Sequence, residues 1–523
     1  MTDTPSRTTR PGLTRNQRTS EILVHLRSLR SSAGRRLAMG LVAVVGASSV
    51  TTPAWAHALG ARYDLPLPLA LYLYAGAGVV LLTFFLMLLI GRSMPRTGRR
   101  TASRTGRLCA EFRVNGLLAR FIGALLRTAL AAAGVFLLLL VLATSWFGVN
   151  SPTRNFAPTF VWVIWWVGLA YVAQLLVNAW VWLNPWRWLV EGIERTGFSL
   201  RGRAVGAALR ELGYGPAVVA FFGFAWLELV SDMGEQPRVL GALILGYTLW
   251  MILGSVLTGA QHWLRHGDAF AVAFSVFGRF APIGRTPDGL RFRMLGSGLV
   301  EAPIARGHMV FIVLMLSTVT FDGILETPWW AGIVDWFSQS TPLRPTLLWL
   351  REGGVDLLRL IKTLGLIVFF ALFFLAYLLT SAVMRRIAAP DQSVMAVACG
   401  FAFSLVPIAI AYHVAHYYSF LLLAGQLIIP LASDPFGIGW NLFGTAHWSI
   451  DLSIVNAKTT WYVAVASIVI GHVIAVVIGH ATAVSRFGGR AVQSQLPLGL
   501  LMIGYTMASL WILAQPIVES PAL

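Results

Sequence analysis

Segments of about 20 consecutive apolar residues recur along this chain from Leu67 to Leu513. Nothing else in it constrains the fold as much. A helix of about 20 residues, rising about 1.5 Å per residue, crosses the ~30 Å hydrocarbon core of a bilayer. Within that core every backbone donor and acceptor must be satisfied internally, and continuous apolar runs of this length do so as helices. Ten spans are predicted, near 67–91, 118–147, 157–183, 214–232, 238–261, 307–326, 362–384, 393–428, 460–484 and 495–516. The expected fold class is therefore all-α: a polytopic transmembrane helix bundle of about ten spans plus an N-terminal signal or anchor helix. Charged residues are 12% of the chain, roughly half the share in a soluble domain. No repeat of 20–50 residues is evident.

The formal net charge is +18, and Lys362 and Lys458 are the only lysines. A basic balance can signal nucleic acid. Here the arginines fall in the short loops after every odd-numbered span: 92–107, 187–210, 265–306, 385–386 and 486–490. That alternation is the charge pattern of membrane orientation. It assigns those loops to the cytoplasm, makes the bilayer rather than nucleic acid the partner, and places both ends of the mature chain outside a bacterial plasma membrane. Cys109 and Cys399, the only cysteines, fall toward the cytoplasmic side, so neither a disulfide nor a thiolate metal site is expected. Residues 1–33 read as a disordered basic cytoplasmic leader. Residues 34–56 read as a signal peptide or signal anchor, with Arg35 and Arg36 ahead of an apolar stretch and the small-x-small pattern Ala54-Trp55-Ala56 at its end. Cleavage there makes His57 the first residue of a membrane domain over 57–523. On the outward side, residues 327–350 read as a Trp-rich interfacial helix and 433–459 as a loop.

Ionisable groups inside a membrane are costly, so each is a functional candidate. "AYHVAHYY", residues 411–418, carries His413 and His416 at i,i+3 on one helix face, beyond a kink expected at Pro407. The pair either hydrogen-bonds to neighbouring helices or shares a metal. His472 lies near the middle of the ninth span and His480 near its inner end, on a helix whose Gly471, Ala475 and Gly479 favour close approach. Two outward-ending helices close with i,i+4 carboxylate pairs, Glu228/Asp232 and Asp322/Glu326. Carboxylates at a helix C-terminus oppose its dipole, so helix stability does not account for them. Glu228 and Asp322, a turn deeper, are the stronger candidates, and Asp232 and Glu326 are expected at the solvated rim. His413, His416, His472, Glu228 and Asp322 thus fall at similar depth in the outer half, within reach of His57, His447 and Asp451 from outside. Nitrogen and carboxylate ligands without thiolates suit Zn, Cu, Mn or Fe. His262 and His266, at the inner end of the fifth span, read as helix-terminal histidines. There is no Walker motif, dinucleotide fingerprint, HExxH or GxSxG.

The stretches "AHALGARYDLPLPLALYLYAGA", "LNPWRWL", "GRFAPIG", "TVTFDGILETPWW", "AYHVAHYYSFLLLAGQ", "GHVIAVVIGHATAV" and "SQLPLGLLMIGYTMASLWILAQPI" resemble bacterial membrane proteins of the fenitrothion hydrolase family, over most of 57–516. The resemblance implies hydrolysis of an organophosphate triester at the membrane, with an apolar substrate arriving through lipid; no catalytic motif comes with it. Under that reading His413, His416 and His472, with His57, are metal ligands, and Glu228 or Asp322 completes the shell or acts as general base. The competing class is a permease for metal ions or protons, or an assembly factor for a membrane oxidase. The third is a structural membrane subunit.

Overall fold

The computed structural model describes residues 68–93, 111–113, 117–197, 204–286, 289–300 and 304–515. The leader, the 34–56 segment, His57 and Cys109 lie outside the described residues. The first half of the chain forms α1 (Leu69–Ser93), α2 (Leu117–Phe147), α3 (Phe156–Leu175), α4 (Pro185–Arg195), α5 (Ala204–Glu211), α6 (Gly215–Leu229), α7 (Pro237–Thr258), α8 (Ala260–His266) and α9 (Ala269–Phe280). The second half forms α10 (Arg306–Leu325), α11 (Pro328–Gln339), α12 (Arg344–Glu352), α13 (Leu357–Ala388), α14 (Val394–Phe401), α15 (Val406–Ala424), α16 (Ala457–Phe487) and α17 (Leu496–Leu513). A small antiparallel sheet, order β1-β3-β2, joins β1 (Glu111–Arg113), β2 (Ile283–Thr286) and β3 (Gly289–Phe292).

The protein is an all-α polytopic bundle. Among the described residues nine helical runs are long and apolar enough to cross a membrane, and α5 with α6 makes a tenth if that bent pair is one span. The fourth span, expected over 214–232, is the single helix α6, and the preceding stretch, expected as part of a cytoplasmic loop, forms α5, which meets α6 at 79°. Gly213, at a left-handed φ of 53°, turns the chain, and Pro216 starts the new helix in its first turn, where a missing N–H costs nothing.

Burial separates the centre from the rim. In α10 and in the run Val394–Ser433, 83% of the apolar window is buried, against 17% in α1, α2 and α13. The central helices carry His308, Asp322 and His413 among the buried polar groups. α15 packs closely on α16 because Gly471 has no side chain; a Cβ there would lie 2.2 Å from that of Ala411 and 2.7 Å from the Pro407 carbonyl. The expected disturbance at Pro407 is a break rather than a kink: a 3-10 turn over Ala402–Leu405 separates α14 from α15, and Pro407 sits in the first turn of α15.

Two features depart from the sequence reading. The middle of α3, Thr159–Gly168, is a π-helix, closed by an i→i+5 bond from Leu169 N to Ile164 O. π segments are rare and are usually single turns near functional sites. The stretch after Arg265, expected as a loop, contains α9, which is buried among α3, α6 and α15. At 12 residues and about 18 Å it is too short to cross a bilayer. Both its ends are tied to the 176–184 segment: Asn184 Nδ2 donates to Asp268 at 2.8 Å and Ile283 N to Leu176 O at 3.2 Å.

Candidate metal centre

Four helices bring polar groups together at the C-terminal end of α10. Asp322 lies in its last turn and Glu326 is its C-cap, so the two carboxylates share a face. His416 and Tyr417 come from α15, Glu228 from the last turn of α6 and Trp166 from the π segment of α3. His416 Nε2 lies 2.9 Å from Asp322 Oδ2, with both side chains 7% exposed. Tyr417 OH donates to the same Oδ2 at 2.7 Å and lies 3.4 Å from Glu228 Oε1. Trp166 Nε1 donates to that Glu228 oxygen at 3.0 Å. The tyrosine hydroxyl thus bridges two carboxylates, and the π-helix aims an indole at the second.

Asp322, Glu326 and His416 each offer a ligand atom, and the three atoms lie within 4.8 Å of one another. With metal–ligand bonds near 2.1 Å, neighbouring ligands are about 3.0 Å apart around an octahedral ion and about 3.4 Å around a tetrahedral one. The His416–Asp322 separation of 2.9 Å fits such an edge. One imidazole and two carboxylates make a donor set suited to Zn²⁺, Mn²⁺ or Fe²⁺.

Beside this group is a cavity of about 30 Å³, lined among others by Trp166, Glu228, Thr318, Asp322, His413 and Tyr417. That volume holds one or two water molecules. Phe221, Phe277 and Met315 close its apolar side.

The remaining predicted residues are placed as follows. His413 and His416 diverge around Tyr417, with ring centroids 4.9 and 4.8 Å from the tyrosine. His413 lines the small cavity, its Nδ1 is 3.5 Å from Gln174 Nε2, and its ring lies against Tyr171 and Phe277. His472 donates from Nδ1 to its own helix at Ile468 O (2.8 Å) and faces Tyr505; it is not in the ligand group. His480 Nδ1 donates to Gln495 Oε1. His447 and Asp451 are exposed, and the Ser453 hydroxyl and amide hold the Asp451 carboxyl below its usual range. Asp232 is exposed as well: α6 ends at Leu229, so the helical register with Glu228 is lost. Glu326, expected at the rim, is instead part of the ligand group. Tyr417 and Trp166 were not singled out from sequence, although Tyr417 adjoins His416 in the 411–418 stretch. His262 and His266 stack with centroids 4.4 Å apart; burial, then the neighbouring charges of His266, Arg210 and Arg265, hold His262 below the usual histidine range.

The chain matches no family model, no curated protein and no solved structure.

Proposed function

We propose that this is a multi-pass protein of the bacterial plasma membrane that holds a divalent transition metal through Asp322, Glu326 and His416, and that the site hydrolyses neutral phosphotriesters. The observation that carries the metal reading is the approach of those three ligand atoms within 4.8 Å. The position of the carboxylates supports it, because two acidic groups at one helix C-terminus inside an apolar bundle are costly, and a bound cation would offset that cost beyond what the His416 contact supplies. The reaction rests on the sequence resemblance to fenitrothion hydrolases. The arginine alternation supports a position toward the outer leaflet for the site.

When bound, such an ion supplies Lewis acidity toward a phosphoryl oxygen and acidifies water. The chain's own residues would do the rest. Tyr417 fixes the rotamer of Asp322 by its hydrogen bond, in the manner of outer-shell partners that orient metal ligands. Glu228, oriented by Trp166, lines the cavity, where it would accept the proton of a water admitted there. Phe221, Phe277 and Met315 exclude bulk water. A cavity of about 30 Å³ admits water and not a triester, so the substrate's phosphoryl group reaches Glu228 only if the cavity widens.

The test is elemental analysis of protein purified without chelator, for wild type, Asp322→Asn, Glu326→Gln and His416→Gln, with folded yield in detergent scored alongside. Wild type should carry bound transition metal, and each variant should lose it while staying folded. Absence of metal in wild type under every loading condition overturns the site. Release of nitrophenol from a nitrophenyl phosphotriester, with and without chelator, tests the reaction. A metal-loaded protein that releases none refutes the hydrolase and leaves a metal-handling protein.

A further inference from the structure

A second cavity, of about 670 Å³, lies between α2, α3, α6 and α7. No charged side chain lines it, and nine of its 27 lining residues are aromatic. Its volume falls in the range of roughly 300–1,000 Å³ typical of sites for drug-sized molecules. The rings form a continuous wall of mostly edge-to-face contacts. Trp165 packs on Trp180 at 5.4 Å, Trp180 on Trp186 at 5.9 Å and Trp186 on Tyr247 at 4.8 Å. Several of their polar edges are already engaged: Trp162 Nε1 donates to Gly234 O, Trp186 Nε1 to Thr248 Oγ1 and Tyr247 OH to Asp268. Such bonds lock the rings and turn their apolar faces to the space between them.

The width of this space depends on two glycines. Gly223 of α6 and Gly246 of α7 both line it, and a Cβ at either would meet nothing within 4 Å. Glycine in the interior of a helix costs about 1 kcal/mol relative to alanine, and here no close packing requires it. Its effect is to leave the chamber open.

The chamber and the small polar cavity are separated by one layer of rings. Phe224 lines the first, Trp166 lines the second, and their rings meet edge to face at 4.6 Å. Trp165, next to Trp166 in the π-helix, faces the chamber.

We infer that this chamber is a binding site for a neutral, lipid-soluble aromatic molecule that reaches it through the bilayer. The uncharged walls select against ions, since nothing there repays the desolvation of a charge. The stiff ring wall favours a flat aromatic guest, whose ring gains offset or edge-to-face contacts that a flexible acyl chain cannot make. The site goes beyond the metal group and does not depend on it.

The experiment is photolabelling of the full chain in phosphatidylcholine nanodiscs with trifluoromethyl-phenyldiazirine, with N-phenylnaphthylamine as competitor and mass spectrometry to place the label. Chamber-lining positions on α6 and α7 should label saturably and lose about tenfold of the label to the competitor, while bilayer-facing positions on α1 and α13 label without saturation. Gly223→Leu and Gly246→Leu should each abolish the saturable component at an unchanged or higher melting temperature and unchanged metal content. Asp322→Asn should label like wild type, so failure of the metal reading leaves this result standing. Unsaturable labelling in the chamber, or saturable labelling that survives both leucine variants, overturns the site. So does a phospholipid retained in native mass spectrometry that the competitor does not displace, because an acyl chain is then the occupant.

Discussion

The two cavities sit on opposite faces of one layer of rings and differ in almost every physical respect. One is about 30 Å³ and its polar lining includes two carboxylates, an imidazole and a phenol; the other is about 670 Å³ and lined by apolar groups and aromatic rings, with no charged side chain. In the small one, single hydrogen bonds set the chemistry, because in a low-dielectric interior each polar group without a partner costs on the order of 1–3 kcal/mol. In the large one no single contact matters much, and shape and volume decide what enters. Substitutions should therefore act on the two independently, and each prediction below is a way to test that separation.

The largest effect should come from Asp322→Asn. Asp322 Oδ2 is the acceptor for Tyr417 and the near neighbour of His416, so one substitution removes a ligand and disturbs another. Metal affinity should fall by more than about 100-fold, beyond the 10–100-fold typical of outer-shell changes. Titration against a competing chelator measures it. The wild-type affinity should also fall as pH falls, because protons compete for the carboxylates and the imidazole. A flat pH profile would mean that the ion sits elsewhere.

Tyr417→Phe should come next. It keeps the ring between His413 and His416 and deletes the hydroxyl that donates to Asp322. An outer-shell loss of about 10–100-fold in metal affinity is expected, with the saturable labelling of the chamber unchanged. Loss of chamber labelling would show that the two spaces are coupled through α15.

Phe224→Ala opens the wall itself. Removing a half-buried phenylalanine should cost about 2–4 kcal/mol in stability, toward the lower end of core Phe→Ala values. Metal affinity should change less than in Tyr417→Phe, because Phe224 is not among the residues bonded to Asp322 or Glu228. Metal exchange should be faster, read as the rate of chelator stripping, since the ring layer behind Trp166 is then thinner. An unchanged stripping rate would show that the ring layer is not the barrier.

Much of the architecture was legible because span length is dictated by bilayer thickness, and ten apolar runs of that length match nine helical runs plus the bent α5–α6 pair. What was not legible has a common cause: local sequence does not encode it. α9 is too short for a span, contains Arg279 and is flanked by Arg265 and Arg285, which is the sequence pattern of a loop. Nothing in "TFVWVIWWVG" distinguishes a π-helix from an α-helix. Asp322 and His416 could be found because an ionisable group in a membrane segment is expensive. Glu326 was assigned to the rim from its depth, although its i,i+4 relation to Asp322 was already visible. For His413 and His416 the i,i+3 spacing was read as one face. Three residues at about 100° each leave them about 60° apart, enough for one ring to meet Asp322 and the other Gln174. His472 donates to its own Ile468 carbonyl, a choice that no spacing rule predicts.

The smallest effect, and the most informative about the wall, should come from Trp166→Phe. The ring that touches Phe224 and Phe221 is largely kept, so the layer between the cavities stays closed. Only the indole N–H is lost, and with it the 3.0 Å bond to Glu228. Glu228 then keeps the more distant Tyr417 hydroxyl at 3.4 Å and its place on the small cavity. A typical hydrogen bond contributes about 0.5–1.5 kcal/mol, and a water admitted to the cavity would recover part of that. Since Glu228 is not in the ligand group, metal affinity should fall only severalfold, less than for Tyr417→Phe, and labelling of the chamber should match wild type. Phosphotriester turnover should fall more than metal binding, because the group that loses its orientation is the proposed proton acceptor. Metal loss as deep as in Asp322→Asn would place Glu228 among the ligands. Altered chamber labelling would show that Trp166 shapes the apolar site as well, and the two cavities would then have to be treated as one.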